Sequence, residues 1–91
     1  MTARIHLPLA LRPEAGGAEA IDVDARTVAD ALASVATRHP TIARHIFDET
    51  GALRRHVNVF VNQSELRTLD GFATPIDSGD EIHIVPSIAG G

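Results

Sequence analysis

The chain reads as an α+β domain, a mixed sheet of four to five strands covered by one main helix. Three observations predict this. Apolar and polar residues alternate in short runs near both ends and in the second half, at residues 5–11, 57–61 and 81–85. One well-defined segment, residues 28–36, carries apolar side chains at helical spacing. Turn-forming residues separate these runs in the order strand, strand, helix, strand, short strand, strand. At 91 residues, the chain is one domain near the low end of sizes that fold alone.

Each element has its own justification. Ile5, Leu7, Leu9 and Leu11 alternate with His6, Pro8 and Ala10, the period of a half-buried strand. Pro8 removes a ladder donor, so an edge position, a bulge or an early strand end is expected near it. Arg12-Pro13-Glu14-Ala15-Gly16-Gly17 reads as a turn, and Ile21 and Val23 as the second strand of a hairpin. Thr27-Val28-Ala29-Asp30 is the acidic form of a helix-start box, in which the Thr27 hydroxyl accepts from the Asp30 amide and Asp30 reaches back. Val28, Ala31, Leu32, Val35 and Ala36 then share one helix face. The helix should stop at His39, because Pro40 disfavours the α conformation before it. Ile42, Ile46 and Phe47 predict one further short helical turn, and Asp48-Glu49-Thr50-Gly51 a loop.

The clearest strand spans residues 56–62, with Val57, Val59 and Val61 on one face and Asn58, Phe60 and Asn62 on the other. Asn62-Gln63-Ser64-Glu65 is read as a turn, Leu66-Arg67-Thr68 as a short strand and Asp70-Gly71 as another turn. Asp77-Ser78-Gly79-Asp80 turns into the last strand, with Ile82 and Ile84 inward. The helix is expected to cover the face bearing Ile5, Leu7, Ile21, Val23, Val57, Val59, Val61, Ile82 and Ile84. This element order is that of the β-grasp, or ubiquitin-like, fold. That topology, rather than the periodicity, implies parallel pairing of the first and last strands at the centre. The expected organisation is a β-grasp domain at residues 1–86 and a flexible C-terminal tail at residues 87–91.

Composition narrows the function. The chain is 44% hydrophobic but only 3% aromatic, so the core must be built from Ile, Leu, Val and Ala, with Phe47, Phe60 and Phe72 the only aromatics it can draw on. The absence of Cys excludes disulfides, Cys-based zinc sites and iron–sulfur clusters, and any sulfur handled is not on a thiol side chain. The net charge is −4 with no basic cluster, which disfavours nucleic acid and favours a basic groove on a protein partner. All eight basic residues are Arg, so without an ε-amine the chain cannot form Lys-linked chains of itself. Neither a signal peptide nor a membrane-spanning stretch is read, so no membrane partner is expected and the cytoplasm is the default compartment.

Few residues suggest chemistry carried by the domain itself. No phosphate-cradling Gly motif is present, and no cofactor is expected on the chain. None of His6, His39, His45, His56 and His83 has helical metal-ligand spacing. His6 and His83 fall side by side if the first and last strands pair; they are read as a surface pair, and no metal is expected. The serines sit in no nucleophile motif and the carboxylates are dispersed, so the chain is read as a carrier or binding protein rather than an enzyme. Phe60, outward between two Asn, is expected to contact a partner, in a patch extended by Val85 and Ile88.

The end of the sequence is the sharpest signal. Ser87-Ile88-Ala89-Gly90-Gly91 follows the last strand directly. Extended, five residues reach roughly 17 Å. Gly90 and Gly91 let the backbone pass where a Cβ would clash, and Ala89 is the smallest step before them. Such a thread can bring the Gly91 carboxylate deep into another protein. A carboxylate is a poor electrophile, because its leaving oxygen is too basic. Adenylation by a partner creates a leaving group, and a sulfur nucleophile then yields a thiocarboxylate.

The segment Val57-Asn58-Val59-Phe60-Val61-Asn62, the turn Asp77-Ser78-Gly79-Asp80-Glu81 and the ending Ile84-Val85-Pro86-Ser87-Ile88-Ala89-Gly90-Gly91 resemble the ubiquitin-like sulfur carriers of the MoaD/ThiS family. The N-terminal half looks most similar to the branch that serves actinobacterial cysteine biosynthesis. The resemblance implies that an E1-like enzyme, using ATP and Mg²⁺, adenylates Gly91. A sulfur donor such as a sulfurtransferase then forms the thiocarboxylate, and the carrier delivers sulfide to an acceptor held by a biosynthetic enzyme. In the molybdopterin branch the carrier is the small subunit of the synthase. In the cysteine branch a metalloprotease releases the product. The patch of Phe60, Val85 and Ile88 would match the family's docking surface. Two alternatives stay open: a ubiquitin-like modifier joined through Gly91 to lysines of target proteins, and a non-covalent β-grasp binding module.

Overall fold

A computed structural model of the chain describes residues 2–86. Its elements are β1 (Thr2–His6), β2 (Ala20–Asp24), α1 (Val28–Arg38), α2 (Pro40–Ile46), β3 (Val57–Val61), β4 (Ser64–Glu65) and β5 (Glu81–Pro86), with short 3-10 helices between some of them. The strands form one sheet in the order β2-β1-β5-β3-β4. β1 and β5 are parallel at its centre, with Ile5 opposite Ile82; the β1–β2 and β5–β3 pairs are antiparallel. This is the β-grasp topology expected from the element order.

The first strand is shorter than its alternation suggests. The Leu7 amide still bonds to the Glu19 carbonyl at 2.9 Å, but Pro8 cannot extend the ladder. The chain instead winds into a 3-10 helix at Leu9–Ala15. That winding buries Leu11 and leaves Leu9 74% exposed, although both fit the strand period. Gly16 and Gly17 follow with φ of 69° and 90°, a left-handed turn that glycine adopts without a Cβ penalty.

Helix α1 starts where the sequence places it. Thr27 Oγ1 accepts from the Asp30 amide at 3.2 Å. Val28, Ala31, Leu32 and Val35 are buried against the sheet, while Ala36 is only partly covered. His39 ends the helix and Pro40 occupies the first turn of α2, where its missing N–H is no loss. Helix α2 is longer than the single turn expected, because Ile42 and Ile46 both reach the core one turn apart.

The β3–β5 connection departs from the sequence reading. Asn62 turns the chain with φ of 57°, and the short strand is Ser64–Glu65 rather than residues 66–68. Leu66–Thr68 is a 3-10 turn, capped by the Glu65 carboxylate accepting from the Arg67 amide at 2.7 Å. The turn lets Leu66 drop into the core.

All nine apolar sheet residues expected under the helix are buried. The core is wholly aliphatic: Phe47 packs only partly against it, Phe72 is 36% exposed and Phe60 lies half-buried on the other face. The phenylalanines therefore decorate the core rather than fill it. Among the described residues, no helix is long and apolar enough to cross a membrane.

Candidate functional site

Because α1 covers one face of the sheet, the alternation that buries Ile5, Ile82, Ile84, Val57, Val59 and Val61 turns their neighbours to the opposite, open face. Strand pairing then fixes who meets whom. His6, His83, Phe60 and Glu65 form one row across β1, β5, β3 and β4. Arg4 lies opposite Glu81, and Asn58 opposite Val85. Phe60 and Val85 are diagonal neighbours on adjacent strands, a separation of about 7–8 Å that large side chains bridge. Val85 is 42% exposed, and Phe60 is half-buried.

Polar groups frame this apolar pair. Arg67 Nη1 donates to Asn58 Oδ1 at 3.0 Å and to Glu65 Oε1 at 2.8 Å, forming a charged rim beyond β3. On the other side the His6 and His83 rings stack with centroids 4.4 Å apart and planes 8° from parallel. His6 Nε2 is 2.7 Å from Glu81 Oε1. Arg4 Nε donates to Asp22 Oδ1 at 3.0 Å, and that hydrogen bond, with the Asp22 charge, raises the guanidinium pKa further. Both partners are well exposed, so the pair shapes the rim more than it stabilises the fold. An apolar centre ringed by paired polar groups is the anatomy of a protein contact.

The face is delivered to the chain's end by β5. The turn Asp77-Ser78-Gly79-Asp80 launches that strand: Asp80 Oδ2 accepts from the Asp77 amide at 2.8 Å, and Gly79 adopts φ of 87°. Asn62 clamps the start of β5 from the neighbouring strand. Its amide donates to the Glu81 carbonyl at 2.6 Å, and its Oδ1 accepts from the Glu81 amide at 3.1 Å. Strand β5 then runs between β1 and β3 and ends at Pro86, opposite Val57. Residues 87–91 follow the central strand directly and lie outside the described residues.

Of the residues singled out in the sequence, Phe60 and Val85 are brought together on the open face. Ile88, Ala89, Gly90 and Gly91 lie outside the described residues. The His6–His83 pairing is found as the topology implied. The sequence reading missed Glu81 at that pair, although period 2 along β5 puts residue 81 on the face of residue 83. It also missed Asn62 as a clamp, which no spacing announces because its role depends on a left-handed turn.

The comparisons with known proteins agree with this fold. The chain matches the ThiS family over residues 5–91. The sulfur carrier protein CysO of Mycobacterium tuberculosis strain H37Rv is 31% identical over 93 residues that cover 100% of both chains. Small archaeal modifier protein 3 of Haloferax volcanii is 39% identical over 71 residues, covering 78% of this chain and 75% of that one. Among solved structures, the Amycolatopsis orientalis BexX/CysO complex contains a chain that superposes with a TM-score of 0.87 at 30% identity, covering 98% of this chain and 99% of that one. With its β-grasp sheet and a family match over residues 5–91, the chain belongs to the ThiS family.

Proposed function

We propose that this chain is a sulfur carrier whose working group is the Gly91 carboxylate. The observation that carries the reading is the family match through residue 91, together with full-length similarity to CysO. In the proposed cycle the Gly91 carboxylate attacks the α-phosphorus of ATP, held with Mg²⁺ by an E1-like partner, and pyrophosphate leaves. Sulfide from a donor such as a sulfurtransferase then displaces AMP from the acyl adenylate, leaving a terminal thiocarboxylate. The thiocarboxylate sulfur attacks an electrophilic carbon of an acceptor on a biosynthetic enzyme, and the acceptor's leaving group departs. Hydrolysis of the acyl bond then frees the carbon–sulfur product and regenerates the Gly91 carboxylate, in a pathway leading to cysteine, molybdopterin or another sulfur metabolite. In a cysteine pathway a metalloprotease would release the product. The domain at residues 1–86 supplies docking through Phe60, Val85 and Ile88. The tail at residues 87–91 supplies reach, with Ala89 and Gly90 threading the partner's channel. No group on the chain breaks bonds by itself, so it acts as a co-substrate of its partners. A solved complex of CysO with BexX supports partner docking as this fold's mode of work.

A second reading has its own support. Two relatives, 39% identical over about four-fifths of this chain, are named small archaeal modifier proteins 3 and 1. A modifier would join Gly91 to a lysine amine on a target. This chain has no Lys, so it would modify other proteins but not build Lys-linked chains of itself.

The deciding experiment is an intact mass spectrum after incubation with an E1-like enzyme, ATP, Mg²⁺ and sulfide. A gain equal to one oxygen replaced by sulfur, mapped to Gly91, is expected. An unshifted mass, with the enzyme active on its own carrier, would overturn the carrier reading. Amide-linked adducts in extracts would favour the modifier.

A further inference from the structure

One cluster on the open face plays no part in carrying an acyl group. His6 on β1 and His83 on β5 are partners in the parallel central pair, and their rings stack. Glu81 precedes His83 by two residues on the same face, and its Oε1 lies 2.7 Å from His6 Nε2. One donor atom from each of the three side chains falls within 4.8 Å of the others. From this juxtaposition we infer that His6, Glu81 and His83 form a binding site for Zn²⁺ or a similar borderline first-row cation, with the fourth coordination position open to water.

The donor set selects the ion class. Two imidazoles and one carboxylate suit Zn²⁺, whereas Mg²⁺ and Ca²⁺ demand oxygen ligands throughout. The backbone does most of the positioning. Both histidines stand on hydrogen-bonded central strands of the sheet, so only side-chain rotations remain to be ordered. Bond lengths of about 2.0–2.1 Å place tetrahedral ligand atoms about 3.3 Å apart. Closing from 4.8 Å or less to that spacing takes modest turns of the rings. The side chains have the room: His6 is 32% exposed and Glu81 53%.

The local charges agree. His6 Nε2 and Glu81 Oε1 already face each other at 2.7 Å. A cation would take that place, with neutral His6 keeping its ring proton on Nδ1 and the carboxylate neutralising one of the two charges. Arg4, opposite Glu81 in register, is paired with Asp22 at 3.0 Å. On the far side of His83 stands Phe60, an apolar wall that limits competing water. The site rests on three side chains of the folded domain, whatever the tail carries. A bound cation would lie inside the face proposed for docking, so a partner side chain could replace its water.

The test is titration of the untagged full chain with Zn²⁺, followed by calorimetry and by NMR of the imidazole nitrogens. One ion per chain is expected, with ring shifts at His6 and His83. His6→Gln and His83→Gln should each weaken binding by about tenfold or more, with unchanged circular dichroism, and Glu81→Gln should weaken it as well. Affinity should fall on acidification, since a ligating imidazole must be neutral. The inference is overturned if millimolar Zn²⁺ gives no saturable binding. It is equally overturned if the shifts in the unaltered chain fall on His39, His45 or His56 instead. Because those shifts need no variant, a misfolded substitution would not obscure the answer.

Discussion

Gly91 has no side chain, and the proposed chemistry asks for none; it asks for a carboxylate at the end of a slender backbone. Removing Gly91, or replacing Gly90 by Val, should abolish the sulfur-dependent mass gain. The melting temperature should hold in both variants, because the buried core among the described residues is complete by Ile84. A retained mass gain in either variant would exclude this carboxylate as the acyl end. Asp48 shows the opposite case, a side chain whose value is local and charge-dependent. Its Oδ1 accepts from the Thr50 amide at 2.8 Å, the Thr50 hydroxyl at 2.6 Å and the Ala52 amide at 3.2 Å. These bonds, the Thr50 hydroxyl foremost, lower its pKa below the ordinary 3.8. A lowered folded pKa means stabilisation that is present above the ordinary value and lost as pH falls through the folded one. Asp48→Ala should therefore melt earlier than the parent at neutral pH, and the gap should close in strong acid. Melts at both conditions check this; a gap independent of pH would mean the carboxylate's charge is irrelevant. The sequence singles out Gly90-Gly91 because the function proposed there rests on residue type alone. It disclosed Asp48 only as a loop residue, because three bonds to one oxygen depend on how the turn closes.

At the scale of elements, legibility follows how many residues vote. Helix α1 announces itself through a cap, four buried positions at helical spacing and a proline beyond its end. Strand β4 has only Ser64 and Glu65, too few for any period to register, and its existence follows from Asn62 turning left-handed. The stretch after β1 misleads in a different way. Leu9 and Leu11 continue the strand period, yet a single proline ends the ladder and the pattern with it. The cap of α1 offers a direct measure of such local signals. Thr27→Ala removes the acceptor of the Asp30 amide. It should cost about 1 kcal/mol. For a domain of this size that corresponds to a fall of about 4–8 °C in melting temperature. Thr27→Asn, which caps equally well, should restore it. Equal melting of the Ala variant and the parent would show that burial of Val28 and Leu32 alone sets where the helix begins.

The whole molecule divides its labour between the two faces of one sheet. Strand β5 touches both: Ile82 and Ile84 anchor it in the core, while Glu81, His83 and Val85 stand on the open face. This arrangement makes stability and docking separable. Ile82→Ala should cost about 2–5 kcal/mol through the cavity it leaves, and any lost docking would follow from unfolding. Phe60→Glu should do the reverse. Phe60 lies opposite Glu65, so the new carboxylate meets a like charge, a penalty of up to about 1 kcal/mol that leaves the domain folded. Its effect on docking is larger in kind. It puts a charge at the apolar centre of the face, where a partner would have to desolvate it unpaired. An E1-like enzyme should therefore bind the variant at least about tenfold more weakly, as for loss of a central aromatic anchor. Binding measured by calorimetry, with circular dichroism confirming the fold, separates the two effects. Weakened binding at unchanged structure places the contact on the face of β1, β5 and β3. Unchanged affinity would move it elsewhere, to the helical side or to the tail alone. In that case the burial of Phe60 between His83 and Glu65 would be only a matter of sheet packing.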